Sequence, residues 1–503
     1  MIYAVRRGLV FGFLHVAKWV RLGLLALPNA ERLLRPGMEP LLWRLGEWRL
    51  WLAVEGARKR VPAYRSLLAE HGDPRVSLRG FRPDFTALPV TDKQNYVRRF
   101  GIEERCRDGR LPMRGAVIDE SSGTSGEPNN WVRGPEERAD GRKLLHMGLR
   151  QAFGDEPLFA VNAFALGPWA TGMAVSMAIV DVAVVKSVGP DVGKIEKTLR
   201  HFGPNYRYLI LGYPPFLKRL VDEADVDWSQ YRCAAVVGGE GMSEALRGYL
   251  QRSFDRVYSS FGASDLEINL AGENDFTIAL RRLLAERPEL GKALGLPEGG
   301  PLPMVFQYNP LDYFVESTPD GELVVSICRV GTAAPKLRYN LHDLGAVVRF
   351  PALRRALADL ELKPEQLADK HLDLPLLFHW GRSDATVAFY GANVGPADLE
   401  EVAYSLPELA GRVDSFALVP WEDDQANKRL RIAFELAEGA EPPEPEAARA
   451  AVLERLAAVN QDYREASRFI PPGVEPTVEF HARGTGPFAG YDARLKRTYV
   501  VEG

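Results

Sequence analysis

Between Ala160 and Val324 short apolar runs alternate with amphipathic segments. The runs at Val182–Val185, Tyr208–Leu211 and Ala234–Val237 are each followed by Gly or Pro punctuation and then by a helical pattern such as Ser243–Arg252. Such strand-and-helix alternation leaves one broad solution, an α/β architecture in which mixed, mostly parallel sheets are covered by helices. After Gly381 the character changes. A strand near Ala385–Phe389, a helix over Pro396–Leu406, strands near Ser415–Val419 and Arg429–Glu435, a helix over Glu446–Val459 and a closing strand at Thr477–Phe480 predict a small α+β unit. The expected division is a large domain over 1–380, with a helical N-terminal extension at 1–57, and a small mobile C-terminal domain over 381–503, joined at 381–384. A chain of 503 residues is long enough for both.

Composition narrows the function classes. The chain is 46% hydrophobic and 26% charged, as ordinary globular proteins are. Its formal charge of −4 provides no global basic field to attract nucleic acid, so a small-molecule substrate is favoured. Cys106, Cys233 and Cys328 lie far apart without a CxxC pair, which argues against a disulfide framework and a cysteine-rich zinc site and fits a reducing, cytoplasmic setting. There is no internal repeat, and Glu438–Pro445 reads as a surface connection.

The N-terminus carries Arg6 and Arg7 ahead of an apolar run that Lys18 and Arg21 interrupt, too short to span a bilayer. At helical spacing Arg7, Lys18 and Arg21 share one side with Arg6 at its border, while Leu9, Phe13, Val16, Val20 and Leu27 share the other. Two readings follow: a helix packed on its own domain, and a basic amphipathic helix lying on an anionic membrane surface. Trp43, Trp48 and Trp51 in the stretch Leu41–Ala57 point to core or interface packing, and a homodimer is compatible with that.

The chemistry begins at Asp119–Pro128, which reads DESSGTSGEP after the apolar run Ala116–Ile118. Glycines let backbone N–H groups close on phosphate oxygens and the hydroxyls add neutral donors, so the loop suits a nucleotide triphosphate. A Walker loop is excluded because GxxxxGK[ST] is absent. Further along stand VVGGEGMSEALR at Val236–Arg247, SSFGASD at Ser259–Asp265, GELVVS at Gly321–Ser326, LRYNLHDLG at Leu337–Gly345 and GRSD at Gly381–Asp384.

In this order these segments, with VPAYR at Val61–Arg65, resemble the adenylate-forming superfamily of acyl-CoA synthetases, luciferases and adenylation domains, and within it the phenylacetate-CoA ligase and coenzyme F390 synthetase (CapK-like) group. The resemblance runs from about Val61 to the end. It implies ATP-dependent activation of an aromatic or hydrophobic carboxylic acid to an acyl-adenylate, then transfer to coenzyme A after the small domain rotates. It assigns Ser121, Ser122, Gly123, Thr124, Ser125 and Gly126 to the phosphates, and Gly239 and Glu240 to the approach to the adenine pocket. Ser260, Phe261, Gly262 and Ser264 follow, with Phe261 on adenine and Ser264 at phosphate. Asp265 would hold Mg²⁺, Asp343 the ribose hydroxyls, Arg382 would lie near the nucleotide and Asp384 would be the pivot. The catalytic lysine of the group matches Lys496, the only lysine in Arg483–Val500, and YGANVGP at Tyr390–Pro396 resembles the loop that enters the site for thiol attack. The acyl pocket falls to Asn162–Met177, where Phe164, Trp169 and Met173 are apolar and Gly167 and Gly172 leave space; core packing is the other reading of those residues.

The chain also departs from the group, with Glu127 where lysine is usual, Asp265 for glutamate, and Leu341-His342 for Thr-Gly. Two alternatives therefore stand beside the CoA ligase: a ligase passing its acyl group to an amine or a carrier-protein thiol, and a degenerate nucleotide-binding scaffold without activity.

Overall fold

A computed structural model of the chain describes residues 2–25, 37–121, 129–167, 170–298, 302–383, 386–410, 412–437, 439–489 and 500. Its centre is one eleven-stranded sheet. In chain order the strands are β1 Leu158–Asn162, β2 Ala183–Ser187, β3 Arg207–Gly212, β4 Arg232–Gly238, β5 Val257–Phe261, β6 Ala271–Gly272, β7 Met304–Tyr308, β8 Tyr313–Ser317, β9 Glu322–Ile327, β10 Tyr339–Val348 and β11 Leu376–Arg382. Across the sheet they run β8-β9-β10-β11-β7-β6-β5-β4-β3-β1-β2.

β3 reads RYLILG and is buried throughout, as a strand covered on both faces must be. Alternate residues feed opposite layers: Tyr208 and Ile210 join Leu199, Leu217 and Phe254 on one side, while Leu209 and Leu211 join Phe164, Val175 and Ile179 on the other. Strands β1 to β5 pair in parallel. From β6 onward every pairing is antiparallel, so the sheet is mixed rather than mostly parallel. β7 and β9 are buried as continuously as β1 and β3 and read alike in the sequence, whereas β8 and β10 alternate in burial.

Residues 386–489 bury a core of their own around Phe389, Leu399, Phe416, Ile432, Phe434 and Leu456. It is built from a hairpin (Val387–Phe389 with Ala392–Val394), helices at Pro396–Ser405 and Pro445–Val459, and a three-stranded sheet of Val413–Glu422, Lys428–Leu436 and Thr477–His481. These bounds fall within a few residues of those read from the sequence.

At the other end, helix α2 (Glu39–Arg60) packs against the antiparallel end of the sheet through Leu50, Trp51 and Val54, and helix α1 (Ile2–Leu25) packs on α2. Of the three tryptophans in α2 only Trp51 is fully buried. No described helix is long and apolar enough to cross a membrane.

Candidate active site

The parallel strands end where the antiparallel ones begin, and there a cleft of about 500 Å³ opens. It is lined by Ser121, Gly239, Glu240, Ser260, Phe261, Gly262, Ser264, Asp265, Asp343 and Arg382. These are all the described residues that the sequence assigned to nucleotide and metal. Ser122 to Gly126, Trp169, Asp384 and Lys496 lie outside the described residues.

Each lining segment has a local reason for its place. Ser121 ends a strand paired antiparallel with Asn129–Arg133, and Trp131 Nε1 donates to Ser121 Oγ at 2.8 Å. Gly239 follows β4 with φ of +83°, and a Cβ there would stand 2.6 Å from the Tyr213 ring, so no other residue fits the turn. After β5 the chain doubles back so tightly that a Cβ on Gly262 would meet the carbonyl carbon of Ile268 at 2.3 Å. The buried guanidinium of Arg133 pins this turn by donating to the carbonyls of Ser264 and Leu266 and, at 3.0 Å, to Asp119.

Within the cleft Asp265 is buried, accepts a 2.8 Å hydrogen bond from Tyr339 Oη, and has Lys93 Nζ 3.4 Å from its other oxygen. Asp343 is buried too, with His379 Nε2 at 3.6 Å and Arg382 Nη1 at 4.0 Å; Asp343 and Arg382 are register partners across β10 and β11. The Phe261 ring lies against His379, centroids 4.9 Å apart, and against Phe306 at 5.7 Å. That is an aromatic wall beside a buried carboxylate. Lys336 lies beneath, its ammonium 4.9 Å from the Trp131 ring, and burial, reinforced by the Arg133 guanidinium and opposed by Glu137, pushes it down to about 7. Burial likewise raises the Asp119 carboxyl.

Glu240 is held from the far side of residues 381–384. Lys428 Nζ donates to Glu240 Oε2 at 2.5 Å, and the backbone N–H of Gly391 donates to Oε1. The Glu240 side chain is only 1% exposed. Ser243 Oγ donates to Glu422 at 2.9 Å nearby. Residues Gly391 and Asn393, in the YGANVGP segment, thus line the cleft, with Gly391 against Tyr213.

A second, apolar cavity of about 140 Å³ adjoins the cleft, sharing Gly239, Ser260 and Gly262 with it and lined further in by Phe164, Val175 and Ile268. Phe164, assigned to the acyl pocket in the sequence, lines this cavity. Gly172 and Met173 line neither space: a Cβ on Gly172 would meet the Ala165 carbonyl oxygen at 2.1 Å, and Met173 is 41% exposed. Gly172 permits a close chain approach rather than leaving room, and Thr171 and Val175 line the cavity instead.

Lys93, His379 and Lys428 went unnoticed in the sequence. Only Lys93 had a local signal, the Asp92-Asn95 capping box that fixes its turn.

No protein-family model matches the chain, and no curated protein sequence does. Solved structures do. 2-Hydroxyisobutyryl-CoA ligase, in complex with 2-HIB-AMP and CoA in its thioesterification state, superposes with a TM-score of 0.59 at 16% identity, covering 95% of this chain and 90% of the other. This chain shares its fold. The same ligase in the postadenylation state, with R3-HIB-AMP, gives a TM-score of 0.50 at 15% identity over 92% and 89% of the two chains.

Proposed function

We propose that the protein is an AMP-forming carboxylate ligase: it activates a hydrophobic or aromatic acid with ATP and passes the acyl group to coenzyme A. One observation carries this reading. Segments as far apart as Ser121, Gly239, Phe261, Asp343 and Arg382, matched to the nucleotide site by resemblance alone, line a single cleft in a chain with a ligase fold.

A carboxylate is a poor acyl donor because its leaving group would be an oxide; attack on the α-phosphate of ATP makes AMP the leaving group and expels pyrophosphate. In this reading Phe261 stacks on adenine, Asp343 accepts from the ribose hydroxyls with Arg382 beside it, and the Ser121–Gly126 segment with Ser264 holds phosphate. Asp265 fits Mg²⁺ as a single hard carboxylate of the kind that leaves the remaining positions to phosphate and water, and the ion would supply charge neutralisation at the phosphates. Tyr339 orients that carboxylate, and Lys93 keeps positive charge beside it.

The apolar cavity suits the acid. Cavities of about 150 Å³ with aliphatic walls hold one benzene-sized ring, and 140 Å³ behind Phe164 and Ile268 is that size.

We read 1–380 and 381–503 as two domains with the hinge at 381–384 and Asp384 as pivot. Lys496 then supplies positive charge at the α-phosphate in one arrangement and is carried off in the other. The contacts of Gly391 and Lys428 with Glu240, and the higher TM-score against the thioesterification state, support the present arrangement as the one for thiol attack.

Pyrophosphate exchange over a panel of carboxylic acids with ATP and Mg²⁺ tests the reading. Label should enter ATP with an aromatic or medium-chain acid, and AMP and pyrophosphate should be the products. No exchange with any acid marks a degenerate scaffold, ADP and phosphate refute the chemistry, and turnover with an amine or a carrier thiol but not CoA reassigns the acceptor.

A further inference from the structure

Helix α1 meets the rest of the chain with the side opposite to that expected of a packed amphipathic helix. Its inner face is Tyr3, Arg7, Val10 and Leu14: Tyr3 Oη donates to Glu55 at 2.9 Å, Arg7 pairs with Glu55 at 3.2 Å, and Val10 is buried among α2 residues. The large apolar side chains Ile2, Val5, Leu9, Phe13 and Val16 point outward instead, each between 53% and 66% exposed. At 100° per residue they fall within one narrow stripe.

The stripe continues onto a second element. Phe13 packs edge-on against Trp48, Trp48 against Phe81, and the Arg6 guanidinium lies 5.7 Å from the Phe81 ring. Phe81 is exposed at the tip of the hairpin Ser77–Arg79/Arg82–Asp84, and Arg79 and Arg82 beside it are exposed as well, Arg82 reaching Glu47 at 3.7 Å. An apolar ridge with an aromatic end is therefore rimmed by arginines. On α1 it is Arg6 that borders the stripe, Arg7 being turned in to Glu55, and the first thirty residues hold no carboxylate, in a chain whose overall charge is −4.

We propose that this surface docks on an anionic lipid bilayer, with α1 lying in the interface plane and the Phe81 hairpin tip inserted beside it. The charge pattern selects this occupant. Apolar side chains enter the acyl boundary while flanking arginines meet lipid phosphates. A second copy placed symmetrically on the same patch would bring its arginine rim against an identical rim with no carboxylate on the helix to answer it. The inference is independent of the ligase reading, since it uses no residue of the cleft.

Sedimentation of the full chain with phosphatidylcholine vesicles, with and without a third of phosphatidylglycerol, tests it. The protein should pellet with the anionic vesicles, less with the neutral ones, and less as salt is raised. Arg79→Ser with Arg82→Ser should weaken the anionic partition by roughly fivefold per residue, and Leu9→Ser with Val16→Ser by at least about tenfold. All four side chains lie outside the core, so thermal melting should not change. Protein that stays in the supernatant with both vesicles overturns the proposal, as does a Leu9→Ser, Val16→Ser variant that pellets like the parent. A parent that is dimeric without lipid and becomes monomeric in that variant overturns it in favour of an interface between copies.

Discussion

Replacing Lys428 by alanine tests whether the present arrangement is the one for thiol attack. The Glu240 carboxylate is 1% exposed and receives two donors, the Lys428 ammonium and the Gly391 N–H, both from beyond residue 384. Removing the ammonium leaves a buried carboxylate with one backbone partner. Truncating one member of a buried, hydrogen-bonded charge pair costs about 2 to 5 kcal/mol. Lys428 is 17% exposed, so water will partly replace it, and the lower end applies. About 2 kcal/mol is roughly thirtyfold in an equilibrium constant. Because the pair joins the two parts of the chain, that loss falls on their docking and leaves the core around Phe416 and Ile432 intact. Acyl-adenylate supplied ready-made, mixed with CoA in a stopped-flow instrument, should therefore yield thioester about ten- to thirtyfold more slowly in Lys428→Ala. Pyrophosphate exchange, which belongs to the other arrangement, should hold or rise. Lys428→Arg should recover most of the rate. Equal loss in both half-reactions, or no loss in either, refutes the reasoning.

Asp343→Ala removes a charged acceptor from the proposed ribose site, where each hydrogen bond is worth about 1.5 to 3 kcal/mol, so ATP affinity by calorimetry should fall at least about tenfold; unchanged affinity removes Asp343 from the site. Lys336 makes a stability prediction. Its folded value, about 7, lies below the ordinary 10.5, so in that window the unfolded chain binds the proton and the folded chain does not. Its contribution is present in full above pH 10.5 and is lost as pH falls towards 7, with a slope of at most about 1.4 kcal/mol per pH unit. Denaturant midpoints measured across that range should rise with pH in the parent, and the rise should shrink in Lys336→Met; an identical profile in both shows that another group titrates.

The parts of the fold that were legible have a simple physical signature. Tyr208–Leu211 announced β3 because a strand buried on both faces has no polar positions, and the helices at 396 and 445 carry proline in the first turn. The direction of the run from Met304 to Arg382 was hard to read because β7 and β9 are as continuously buried as the parallel strands, and only β8 and β10 alternate. The cleft residues were legible only as ordered motifs. Gly172 shows the limit: beside Trp169 and Met173 it reads as pocket space, yet it allows Ala165 and its own helix to touch. His379 reaches the cleft because β11 pairs with β10, opposite Gly345. Lys428 does so because its strand, Lys428–Leu436, starts beside Glu240. The wheel of α1 gave two faces, but only the buried Glu55 on α2 decided which of them turned inward.

The change of strand direction at β5, β6 and β7 also separates the linings of the two spaces. The walls of the apolar cavity come from the parallel side, through Phe164, Val175, Leu209 and Val236, whereas Asp343, His379 and Arg382 belong to antiparallel strands. The two sets meet at a neck of Thr171, Gly239, Ser260, Gly262, Ala263 and Ser264. Substitutions of cavity residues away from that neck can therefore accumulate without touching Asp343, His379 or Arg382. On the ligase reading proposed above, a lineage built on this sheet would exchange one acid for another by changing residues on α-helical and parallel-strand walls while the nucleotide site is inherited intact, and a laboratory search for new acids would take its library positions from the same walls.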